Sequence, residues 1–291
     1  MHVNFKYVVL TIGSIFLALG IGILIGSNLG TNEAVQKQNQ AIVKDINKQV
    51  LDIKSKDEDL TKENKKLKDV VEKYNGYIVE NSSVLTANKL LNKTVGLLSF
   101  DSSNIDNEIQ NTITNVGGKI GFVIKVNNSI FDKDNYNKIS DKLNINIKKE
   151  DDIVNLIMNS IKDPKQQNVL TTLASMGFIN KNNINSQYGD INSIVVINGQ
   201  NNKISSDKEN PYVELVNDIK GDKQVVVVQT QSVSDDVIKP FMDMKLPTIN
   251  NIEQQPGKIS LINCLANDKL IGNYGINKDN DDSFTTMALS N

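Results

Sequence analysis

The sequence predicts an α/β protein in three parts. These are an N-terminal transmembrane helix over residues 1–31, a long coiled-coil-like helix over 32–91, and a Rossmann-like three-layer domain with a mostly parallel sheet over 92–291. Three observations predict this. No charged side chain lies between Lys6 and Glu33. From Asn32 to about Tyr77 the chain is dense in Lys, Glu, Asp, Gln and Asn, with no Pro and no Gly before Gly76. From Asn92 onward, short continuous apolar runs alternate with helical patterns, the signature of strands buried on both faces.

The first part rests on Tyr7 to Gly26, about 20 mostly apolar residues, enough to cross roughly 30 Å of hydrocarbon as a helix. The run is long for a signal peptide, and Ser27-Asn28-Leu29-Gly30-Thr31 is a poor cleavage site, so the helix is expected to remain as an anchor. Lys6 and the terminal amine precede it and Glu33 follows. The positive-inside tendency therefore puts the N-terminus in the cytoplasm and the C-terminal domain outside it. Ser14, Ala18, Gly22, Gly26 and Gly30 fall four residues apart, a small-residue face that lets a second helix approach closely.

The second part carries a heptad. Its d positions are Asn39, Ile46, Ile53, Leu60, Leu67 and Tyr74, and its a positions are Ile42, Gln49, Lys56, Glu63, Val70 and Tyr77. The d series is apolar from Ile46 onward, while the a series is polar through the middle, so half the seam is filled. Ile46, Ile53, Leu60 and Leu67 predict a parallel homodimer. The competing reading is a solvated single helix held by pairs such as Asp52 with Lys56 and Glu58 with Lys62.

In the third part, Thr94–Phe100 reads as a buried strand. Ile105, Ile109, Ile113 and Val116 form a helical stripe that Gly117-Gly118 ends, and Lys119–Lys125 reads as the second strand. Asn127 to Asp151 reads as an irregular insertion with one short helix. Helices are expected over Asp151–Ile161, Pro164–Met176, Tyr212–Ile219, Val237–Met244 and Pro256–Leu265, and strands over Ser193–Asn198, Gln224–Gln229 and Thr248–Ile252. In such a sheet ligands sit at the carboxyl ends of strands. That makes Asp101-Ser102-Ser103, Asn198-Gly199-Gln200 and Thr230-Gln231-Ser232 either the walls of a polar cleft or ordinary turn and capping chemistry.

Composition narrows the chemistry. The net charge is −2 without a long basic run, which argues against nucleic acid as a partner. Cys264 is the single cysteine, so no intrachain disulfide forms. His2 is the single histidine, and it would lie across the membrane from the domain, which removes histidine-based triads and dyads. Gly117-Gly118-Lys119-Ile120-Gly121 closes a helix and opens a strand, the reverse of the order a dinucleotide fingerprint needs. Nothing in the carboxylate spacing picks out a catalytic pair, so no enzyme activity and no resident cofactor are expected. Met242 and Met244 place two thioethers close in sequence, soft enough for Cu(I), though they also suit ordinary packing.

The order of parts, with the anchor phrase LTIGSIFLALGIGILIGSNL, the strand TVGLLSF and the closing stretch INNIEQQPGKISLINCLANDKLIGNYGI, resembles the MctB-type copper transporter family of bacterial envelope proteins. The close is matched at Asn250, Asn251, Ile252, Gly257, Leu261, Gly272, Tyr274 and Gly275, where the family's usual aspartates are absent. The resemblance implies a role in copper homeostasis or efflux, with copper as the one metal in view and an outer-membrane channel proposed for some relatives. It also implies association with envelope assembly and cell separation, and hence an envelope or division protein as partner beside membrane lipid. A non-enzymatic structural or interaction protein is the alternative reading.

Overall fold

The computed structural model describes residues 5–30, 33–100, 105–182, 184, 186–199, 211–233, 237–275 and 288. The chain forms two compact units, residues 1–73 and 74–291. The first holds helix α1 (Phe5–Gly30) and most of helix α2 (Glu33–Thr86). Within α1, Phe5–Ser27 is 23 residues long and apolar enough to cross a membrane, and none of it is buried by the rest of the chain. Its hydroxyls are turned onto its own backbone. Thr11 Oγ1 donates to the Tyr7 carbonyl and Ser14 Oγ to the Thr11 carbonyl, both at 2.8 Å, so each hydroxyl proton is satisfied within the helix.

Helix α2 runs for 54 residues because nothing in it breaks a helix before Gly76. Its d-position side chains find no cover in the chain. Ile46, Ile53, Leu60 and Leu67 are 52, 66, 58 and 57% exposed.

The second unit is built on seven strands: β1 (Thr94–Ser99), β2 (Lys119–Val126), β3 (Ile179–Asn182), β4 (Ser193–Ile197), β5 (Gln224–Val228), β6 (Thr248–Ile249) and β7 (Asn273–Tyr274). They form one sheet in the order β3-β2-β1-β4-β5-β6-β7. Every pairing is parallel except β2 with β3. Successive strand residues feed two cores, which explains the unbroken apolar runs. Ile194, Val196, Val225 and Val227 enter one, with α4 (Lys133–Leu143), α5 (Glu150–Lys162), α6 (Gln167–Ser175), α7 (Pro211–Lys220) and α8 (Lys239–Asp243). Val195, Ile197, Val226 and Val228 enter the other, with α3 (Ile105–Thr114) and α9 (Gln255–Ala266). The sheet is therefore covered on both faces.

Several boundaries differ from the sequence reading. Pro164–Gln166 is a separate 3-10 turn ahead of α6, capped by the Asp163 side chain. The expected strand Thr248–Ile252 pairs only at Thr248 and Ile249, because the backbone leaves the sheet to start the turn into α9. The insertion at 127–151 holds the 11-residue α4 and a 3-10 turn at Asn128–Phe131. Strand β3 escaped notice because Ile-Asn-Lys-Asn has no apolar run, which suits an antiparallel edge strand with one polar side. The glycines of 117–121 prove architectural. Gly117 ends α3 with φ +90°, and Gly121 is skipped in the β1–β2 register, where a Cβ would meet Ile191 Cδ1 at 2.2 Å.

Candidate functional site at the carboxyl edge of the sheet

The parallel strands end in polar residues that the fold buries: Ser99 on β1, Asn198 after β4, Gln229 after β5, and Asn250 and Asn251 after β6. Most of these are committed to holding loops. Ser99 Oγ donates to Asp106 Oδ1 at 3.2 Å, and Lys125 Nζ donates to Asp106 Oδ2 at 3.3 Å, so the first turn of α3 is tied to the ends of β1 and β2. Asn198 Nδ2 donates to Gln229 Oε1 at 3.3 Å and to the Val237 carbonyl at 3.2 Å. The Gln231 N–H donates to Glu253 Oε1 at 2.9 Å, and Gln254 Nε2 donates to Gln231 Oε1 at the same distance. Asn251 differs: it is fully buried and neither atom of its amide has a partner.

The polar residues chosen from sequence thus divide. Asn198 and Gln231 are framework, and the Thr230 and Ser232 hydroxyls share one bond at 2.7 Å. Asp101, Ser102, Ser103 and Gln200 lie outside the described residues. An open cleft of about 810 Å³ does lie on this edge, toward β2 and β3. Phe100, Val126 and Ile179 give it an apolar side, and Lys125, Asn127 and Lys181 a polar one. Sequence reasoning missed it because its outer wall is β3. The available signal was the position of Lys125 and Asn127 at the end of a strand already recognised. Behind the cleft, the Phe100 and Tyr212 rings meet at 4.0 Å, tilted by 40°, and burial pushes the Tyr212 hydroxyl well above the usual phenol range.

The soft ligands are placed by packing. Met242 lies in α8 and Met244 caps its end, and both pack against the core that contains Phe241. Two residues apart on a helix, they project in different directions. Cys264 is fully buried in α9, and burial pushes its thiol up to about 12. Among the described residues no group of three His, Cys, Asp or Glu side chains converges as metal ligands would.

On α1, a Cβ added at Gly22 or Gly26 would meet nothing within 4 Å, so with Ser14 and Ala18 these positions leave one side of the helix low and open. The structure thus leaves the small-residue side of α1 and the apolar side chains of α2 exposed, and gathers polar residues at one edge of the sheet.

A comparison with curated proteins finds no match. The family model described as "Copper transport outer membrane protein, MctB" matches residues 2–284. That match takes in the apolar helix, the long polar helix and nearly all of the α/β unit, and the chain belongs to the MctB family of copper transport proteins.

Proposed function

We propose that this chain is a single-pass, membrane-anchored protein of the cell envelope that serves copper homeostasis through a protein partner and is not an enzyme. The observation that carries this reading is the wholly exposed apolar helix α1 directly ahead of a 54-residue polar helix with an uncovered seam. An apolar helix of that length is at home in hydrocarbon, and α2, at 1.5 Å per residue, spans about 80 Å. Lys6 before the span and Glu33 after it support a cytoplasmic N-terminus and an extracytoplasmic domain. The exposed Ile46, Ile53, Leu60 and Leu67 support a parallel coiled-coil homodimer, with Ser14, Ala18, Gly22 and Gly26 as the pairing face of the anchors. Strand order and two-sided helix cover support a Rossmann-like domain.

Copper enters through the family. The strands of the domain run from two to eight residues and pair in one sheet, shorter than the 9–11 residues of a transmembrane strand. This supports a role beside a transport path rather than as its wall. The packed Met242, Met244 and Cys264 support the same view. The exposed seam equally favours an interaction protein for envelope assembly or cell separation.

Copper sensitivity of a deletion strain separates these readings. The wild-type gene and Met242→Ala with Met244→Ala are expected to restore copper tolerance. Leu17→Lys with Ile21→Lys is expected to leave the carbonate-resistant membrane fraction and to fail. A folded Met pair variant that failed would restore direct copper binding. Chained cells with normal copper tolerance would favour the assembly role.

A further inference from the structure

The geometry points to a binding site for a small carboxylate- or phosphate-bearing molecule in the cleft between the carboxyl ends of β1 and β2 and the start of β3. The inference is independent of the copper reading. The cleft holds about 810 Å³, within the range of small-molecule pockets, and lies where open α/β sheets bind ligands. Its lining comes from the residue after β1, the end of β2 and the start of β3, which pairs antiparallel with β2.

The sign of the ligand follows from the lining. Among the described lining residues none is acidic, and two are lysines. Lys125 is matched by Asp106 from behind. Lys181, held on the edge strand, donates to the neutral Thr171 hydroxyl at 2.5 Å, so its charge is not met by a carboxylate there. The amides lean the same way. Asn127 Oδ1 accepts from the Ser129 N–H at 3.1 Å, and Asn128 Oδ1 accepts from the Tyr212 hydroxyl. Both oxygens accept bonds from within the protein, which leaves the Asn127 Nδ2 group as a donor on the cleft wall. An anion meets both the lysine charge and the amide donor. Phe100, Val126 and Ile179 supply the apolar side against which the rest of such a molecule packs.

Calorimetric titration of the full-length protein in detergent tests this, with sodium pyrophosphate in one arm and citrate in the other. The arm with the tighter binding identifies the anionic group. One-to-one binding is expected in at least one arm. It should weaken about tenfold or more in Lys181→Glu, the scale of one lost charge-assisted bond. It should also weaken as salt is raised. Lys62→Gln, on α2, is expected to bind like the wild type. Lys181→Gln replaces the charge reversal if that variant fails to fold, with about a threefold loss expected from charge removal alone. No binding of either anion at millimolar concentration, or binding that the Lys181 variants leave unchanged, overturns the proposal.

Discussion

At Gly96 the backbone of β1 passes directly over an aromatic face. A Cβ there would lie 2.4, 2.6 and 2.9 Å from three atoms of the Phe122 ring. Phe122, on the neighbouring strand β2, is 3% exposed and packed into the core, so it has little room to swing away. Gly96→Ala is therefore expected to destabilise the domain by about 1–3 kcal/mol, the usual penalty of overpacking a core. A thermal melt followed by circular dichroism should show a drop of about 2–4 °C for each kcal/mol. Adding Phe122→Leu should recover part of the loss, because the two residues share one volume. An unchanged melt for Gly96→Ala would contradict the close approach. From the sequence, Gly96 reads only as a small residue in a strand, and the ring it accommodates lies 26 positions further on.

Helix α2 is the element whose form is most legible in the sequence. A stretch with no Pro, no Gly before Gly76 and many good helix formers favours a helix, and α2 runs from Glu33 through Gly76 to Thr86. The seam has apolar d positions but Gln49, Lys56 and Glu63 at its central a positions. Polar a residues weaken a dimer while fixing its register. The full-length protein in detergent is expected to sediment as a dimer, and Ile53→Asp with Leu60→Asp to return it to monomer. A monomer before mutation would refute pairing through this seam.

At the scale of the whole molecule, the copper question turns on where the soft atoms lie. Met242 and Met244 pack on one core, and Cys264 is sealed into the other. Tight Cu(I) sites gather several soft ligands at one point. The protein is therefore expected to lose Cu(I) to a chromogenic chelator in competition, with no stoichiometric retention. Retention abolished by Met242→Ala with Met244→Ala would overturn this. The same burial makes a second prediction. With its thiol pushed up to about 12, Cys264 should resist thiol reagents at pH 8 until the protein is unfolded. A thiol whose pKa is raised by folding adds stability that is complete below its ordinary pKa of about 9. That stability is lost as pH climbs toward about 12, so alkaline conditions should weaken the fold.

The sequence by itself determined what depends on neighbours along the chain. The apolar span, the long polar helix, the strand–helix–strand unit at 94–125 and the valine-rich strand at 224–228 all follow from periodicity, and periodicity is local. So is the turn chemistry of Gly117, whose positive φ only glycine meets easily. Only the tertiary structure decided what depends on residues far apart. It paired the four-residue edge strand β3 antiparallel to β2, and with it built the outer wall of the cleft. It also turned Asn198 into a loop tether rather than a ligand-facing amide, by bringing Gln229 and Val237 within bonding distance. The physical reason is the same in each case. A side chain's type sets which bonds it can make, but whether it spends them inward on the fold or leaves them for a ligand depends on what long-range packing sets beside it.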